Sequence, residues 1–322
     1  MEKKMTEQRL PSYGGQALIE GVLMRGANHV VASMRAPDGH IEVVHEELGG
    51  IYKSRIRNIP GLRGLISLWD SLGLGLRFLT ISANIQTGED EKIEGPEMVI
   101  TMIISIVIAV LLFFLAPVWI AHWIESMTNL TQLGGNIIEG FLRLAIVLGY
   151  MVIVSRMEEI KRVFRYHGAE HKTINCFDNG LDVTLENVRT QSRLHPRCGT
   201  AFMVTVVLIS IILFILIGPF TKTLTSRLIS RVLLIPVISG IAYEYIRWSA
   251  RHLNNPLVKI LIYPNLMVQK ITTADPDDSM LECAISSFLT MLAYENGTMP
   301  IEVNKPIKAT EYETIGSEKT IL

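Results

Sequence analysis

His167-Gly168-Ala169-Glu170-His171 brings together the residue types of a metal site. The pattern is H-x-x-E-H, the inverted zincin arrangement. Residues four apart share a helix face, so both imidazoles can meet one ion while Glu170 stands beside them as a base for metal-activated water. Ile160, Phe164, His167 and His171 follow helical spacing, so the histidines continue an inward apolar stripe. A lone histidine on such a stripe is a satisfied core residue. Two at this spacing beside a glutamate favour a metal, zinc or a similar divalent ion.

A second cluster follows. In His195-Pro196-Arg197-Cys198-Gly199 the His-x-x-Cys pair is a two-ligand unit, and Pro196 and Gly199 would fix a tight turn that aims imidazole and sulfur to one side. The plainer reading is a proline-stiffened helix entry with an incidental cysteine. Cys176 lies five residues after His171. Two ligand sets are therefore open. His171, Cys176, His195 and Cys198 would make a closed structural site. His167 and His171 with one of His195, Cys198 or Glu244 would leave a position for water that Glu170 could deprotonate. Glu244 has a bland alternative as an ion-pair partner of Arg247 or Arg251.

These residues need elements to hold them, and composition bounds those elements. The chain has 322 residues, 49% of them hydrophobic and 19% charged, with a net charge of −1; its mean hydropathy is +0.33. That balance divides the chain between lipid and water, and it gives no basic field for nucleic acid. Three cysteines suit a reducing compartment with free thiols. The polar opening, Met1 to Ser12, lacks a secretory core, so internal spans must do the targeting.

The expected fold is mainly α: a multi-pass helical membrane protein with about four transmembrane helices and a small N-terminal β-hairpin region. The candidate spans are about Met98–Ile124, Ile137–Ser155, Ala201–Gly218 and Leu228–Trp248, each close to the roughly 20 residues a bilayer requires. Glu139 and Arg143, in the second, are four apart and could pair along their own helix. Basic residues crowd the loop between spans two and three and flank the outer spans, while residues 125–136 have none. The positive-inside rule then places the H-x-x-E-H loop and both termini on the cytoplasmic side of the membrane. In this division, residues 1–97 hold the β region and an amphipathic helix near Leu62–Ile81, and 98–155 hold spans one and two. Residues 156–200 form the metal-site loop and 201–250 spans three and four. A helical region and a disordered tail make up 251–322, with one helix over Ser279–Leu292. Val30–Arg35 and Ile41–His45 flank Pro37-Asp38-Gly39, a hairpin turn. If span two ran straight on, His167 would stand about 18 Å beyond the membrane edge, so the chain must bend near Ser155–Arg156.

The opening Gly14-Gly15-Gln16-Ala17-Leu18-Ile19-Glu20-Gly21-Val22-Leu23-Met24-Arg25-Gly26, the Tyr166–Lys172 element and His195-Pro196-Arg197-Cys198-Gly199-Thr200 together resemble the bacterial YqhQ family. The resemblance covers roughly Ser12 to Thr273. It implies a metal-dependent membrane enzyme of unknown reaction, and it directs attention to Glu20 and Arg25, which by themselves read as a local ion pair. The expectation is a zinc hydrolase facing the cytoplasm, in contact with membrane lipid. In it His167 and His171 bind the ion, His195 or Cys198 completes the set, Glu170 activates water, and Arg197 or Arg25 neutralises an anion. The alternative is a non-enzymatic scaffold in which a structural zinc site staples the loop and a cytoplasmic protein partner binds. A transporter is the third reading.

Overall fold

A computed structural model of the chain describes residues 13–49, 62–87, 96–221 and 223–298. The polar opening and the expected C-terminal tail lie outside them.

Four strands come first: β1 (Gly14–Leu18), β2 (Gly21–Arg25), β3 (His29–Arg35) and β4 (Ile41–Glu47), an antiparallel meander in chain order. The expected hairpin is its second half, with Arg35 opposite Ile41 and Gly39 at φ +92 in the turn. Side chains alternate between faces. Val22, Met24 and Val31 point to one core, and Leu23, Val30, Ala32 and Met34 to another. The second core is closed by α1 (Leu62–Thr87) through Phe78. The first is closed by α5 (Glu158–Asp178) and α11 (Asp278–Glu295), through Tyr166, Ala169, Met280 and Phe288. Each large apolar side chain buried here contributes about 1.5–3 kcal/mol. Residues more than two hundred positions apart thus share one core, and α11 also donates from Ser287 Oγ to the Val31 carbonyl at 2.8 Å.

The apolar half begins with α2 (Pro96–Val110), a π-helical turn at Leu111–Leu115 and α3 (Ala116–Met127). It continues with α4 (Gln132–Val154) and, after α5 and the short α6 (Leu185–Thr190), with α7 (Gly199–Ile217). Among the described residues, three stretches are long and apolar enough to cross a bilayer: Val99–Met127, Gln132–Val154 and Phe202–Phe220. The last helices are α8 (Leu224–Leu233), α9 (Ile235–Arg251) and α10 (Pro256–Thr272). The fourth expected span is not one straight helix. α8 and α9 meet at an angle of 45°, and only as a bent pair do they make a fourth crossing. Pro236 at the start of α9 explains the break, because it has no N–H to continue the ladder and its ring crowds the preceding turn.

α4 and α7 run antiparallel. Gln132 at the start of α4 donates to the Thr221 carbonyl just past α7 at 2.7 Å. At the other end Val147 and Met151 pack on Val204 and Val207. After Val154 the chain turns through Ser155-Arg156-Met157 before α5 begins. That is the bend expected from the sequence, and it brings α5 back to the end of α7 that carries Cys198.

Candidate metal centre

His167 and His171 sit one turn apart on α5, and each ring is fixed through Nδ1. His167 Nδ1 lies 2.8 Å from the Thr272 carbonyl and His171 Nδ1 lies 2.6 Å from the Arg193 carbonyl. A carbonyl only accepts, so each Nδ1 donates, and in the neutral ring each Nε2 keeps its lone pair. This is how proteins orient imidazoles as metal ligands. His167 Nε2 is 3.2 Å from Cys198 Sγ. His171 Nε2 is buried and has no hydrogen-bond partner among the described residues. An unpaired lone pair in such a place costs about 1–3 kcal/mol unless something fills it. Ligand atoms of His167, His171 and Cys198 all lie within 4.8 Å of one another. Two borderline nitrogens and one soft sulfur suit zinc.

Cys198 caps α7. Its sulfur accepts the Thr200 N–H at 3.4 Å and stands 3.1 Å from Thr200 Oγ1. The preceding turn is held from α10. Gln269 Oε1 accepts the His195 N–H at 2.9 Å, and Gln269 Nε2 donates to the His195 carbonyl at 2.8 Å. Arg193, whose carbonyl holds His171, donates from Nη1 to the Thr273 carbonyl at 2.9 Å. The final turn of α10 therefore touches His167 directly, His171 through Arg193 and Cys198 through the turn at His195.

Glu170 is 5% exposed, with Oε2 3.9 Å from His167 Nε2. Burial pushes its carboxyl up to about 7, opposed by His167 and by the Gly15 N–H that the carboxylate accepts. A carboxyl in that range can take a proton near neutral pH. Gly15 is needed for the close approach: a Cβ there would stand 2.8 Å from Glu170 Cγ and 2.6 Å from the Leu23 carbonyl. The first strand of the sheet thus supplies the floor beneath Glu170.

The other candidates lie elsewhere. His195 is adjacent, its ring 5.7 Å from that of His171, but both its nitrogens are engaged. Nδ1 accepts the Arg197 N–H at 3.3 Å, and Nε2 faces Asp178 at 3.2 Å. Burial pushes the imidazole pKa down. Burial would push Asp178 up, but His195 and Arg197 outweigh it and hold that carboxyl below its usual value. Arg197 donates to Asp178 at 2.6 Å, and its buried Nε has no partner among the described residues. Cys176 lies in the core beneath the sheet, its thiol 3.3 Å from the Asp182 carbonyl. Glu244 accepts from Arg63 Nε at 2.6 Å, a partner from α1 rather than Arg247 or Arg251. Glu20 occupies the β1–β2 turn at φ 55 and accepts from Arg162 and, at 3.2 Å, from Tyr166. Arg25 stands opposite Gly14 at the end of β2.

Sequence reasoning missed Gln269, Gly15 and the carbonyls of Thr272 and Arg193. A backbone acceptor has no residue signature, and Gln269 lies 74 positions from the turn it clasps. The paired glycines of the opening motif were the one readable signal of close backbone approach.

Residues 59–294 match the family DUF1385, described as a protein of unknown function. The uncharacterised protein YqhQ of Bacillus subtilis (strain 168) is 35% identical over 300 residues, covering 88% of this chain and 93% of that protein. No solved structure matches. With a match over most of its length and a relative this similar, the chain belongs to the DUF1385 family and is a relative of YqhQ.

Proposed function

We propose that this protein is a zinc-dependent (or similar divalent-metal) hydrolase of the bacterial cell membrane, with its site facing the cytoplasm. His167 Nε2, His171 Nε2 and Cys198 Sγ hold the ion, and Glu170 is the general base. The observation that carries the reading is the buried, unpartnered Nε2 of His171, aimed by the Arg193 carbonyl into a cluster with two other ligand atoms. A bound divalent ion lowers the pKa of coordinated water and polarises a carbonyl or phosphoryl oxygen. The chain's own part is to present Glu170 beside that position, steadied by the Gly15 N–H, so that it takes the water's proton and returns it to the leaving group. Arg197, beside the cysteine with one buried donor unmatched, is the group for an anionic substrate or a developing oxyanion.

A second reading draws on the burial of Glu170 itself. At 5% exposure its carboxylate suits a fourth ligand, which would close the site into a zinc staple in a scaffold for a cytoplasmic protein.

Glu170→Gln separates the two readings. Metal content is measured by elemental analysis, and function by complementation of a deletion strain. In the hydrolase, Glu170→Gln keeps about one ion per chain, as wild type does, and lowers function by about 100-fold or more. His167→Ala with His171→Ala loses the ion. In the staple, Glu170→Gln removes a ligand, so the ion is lost along with function; full complementation by Glu170→Gln with the ion retained would end both roles for Glu170. Equal, near-zero metal in wild type and in the double variant would end both readings.

A further inference from the structure

The apolar half holds a second polar cluster that the metal reading does not use. Glu139, Arg143 and Arg231 are 1%, 4% and 1% exposed. Glu139 accepts from Arg143 Nη2 at 3.0 Å and from Arg231 Nη2 at 2.6 Å. One carboxylate thus serves two guanidinium groups. The other partners among the described residues are neutral: the Phe113 carbonyl at 3.2 Å, Ser210 Oγ at 3.3 Å, Asn136 Oδ1 at 3.2 Å and Ser230 Oγ at 3.2 Å. Both guanidinium carbons lie over the Phe214 ring, at 4.8 and 4.2 Å. Dipoles and a ring face solvate charge but do not cancel it, so the cluster carries one positive charge in excess.

Its position makes that excess expensive. Arg143 is the twelfth of the 23 residues of α4, so it lies mid-span if α4 crosses the bilayer. A charge there costs several kcal/mol unless it is matched. Donor capacity is also in excess, since each guanidinium has five N–H bonds and Arg143 directs three of them to partners. Two of the segments that supply the cluster are irregular. Phe113 lies in the π-helical turn, and Arg231 lies on α8 just before the 45° break. Broken helices and π turns in membrane proteins are where ligands are held.

We propose that the cluster formed by Arg143, Arg231 and Glu139 is a binding site for one small monovalent anion, such as a halide or nitrate. A lipid phosphate does not meet the need, because headgroups lie about 15 Å from the midplane of a core roughly 30 Å thick. The inference does not depend on the metal site.

The test uses the full-length protein in lipid nanodiscs at constant ionic strength, melted in sodium chloride, sodium nitrate or sodium gluconate. Wild type should melt about 2–4 °C higher in chloride or nitrate than in gluconate, and the rise should saturate with anion concentration. Asn136→Asp adds a carboxylate of nearly the same shape where Arg231 already donates. It should raise the melting temperature in gluconate and abolish the response to chloride. Ser210→Asp does the same beside Arg143 and repeats the test should the first variant not fold. Identical melting of wild type in all three salts would overturn the proposal, as would a full chloride response in either variant. Failure of both variants to fold would also overturn it, since an added negative charge should relieve the cluster.

Discussion

The cluster around His171 and the cluster around Glu139 are both buried, polar and held by partners far away in sequence, yet what they leave unmatched is opposite. At His171 the protons are committed to carbonyls and lone pairs remain. At Glu139 the acceptors are committed and guanidinium N–H bonds remain. On the readings proposed above, the first would take a cation and the second an anion. The sign of a missing partner can be read from which half of the hydrogen-bond inventory is left over.

The comparison breaks most visibly at Glu139. Glu139→Gln removes the one negative charge between two buried arginines and should destabilise the protein by about 3–5 kcal/mol, read as loss of thermal stability. A near-silent result would mean that neutral dipoles suffice there and that the two clusters do not differ in kind. Gln269→Leu sharpens the other side. It leaves His167, His171 and Cys198 intact but frees the turn that carries the sulfur, so metal affinity should fall about 10- to 100-fold in a competition titration. Gln269→Glu keeps the acceptor for the His195 N–H and should recover part of the loss; equal affinity in wild type and Gln269→Leu would show that the clasp does not position Cys198. Gly15→Ala should cost about 1–3 kcal/mol by denaturant melting, because its Cβ would push on Glu170 and on the Leu23 carbonyl. A variant with unchanged stability would show that the strand can withdraw from the site.

What the sequence disclosed follows physical range. The spacing of His167 and His171 is local, so a shared helix face was legible, as was the Pro37-Asp38-Gly39 hairpin. The bend after Val154 followed from a length argument. Glu139 and Arg143 do pair, at 3.0 Å, but Arg231 joins them from α8, 92 positions from Glu139, and no periodicity announces that. The sheet was visible as strands, whereas its burial on both faces depended on α1 and α11, whose docking is tertiary. The fourth span was expected straight because hydropathy averages over a window, and a single Pro236 does not change the average although it stops a helix.

The clasp from α10 also has a bearing on how the molecule is made. Chain synthesis runs from Gly15 through His167 and Cys198 to Thr272, and the carbonyl that orients His167 belongs to the last of these. By the time Thr272 is added, every candidate membrane helix among the described residues has already been synthesised. The cluster cannot close on a half-made chain, because the last piece that orients it follows the apolar helices. If the site holds the ion proposed above, metal loading would then report completion, because a chain that stops before α10 lacks both the carbonyl that orients His167 and the glutamine that clasps the turn before Cys198.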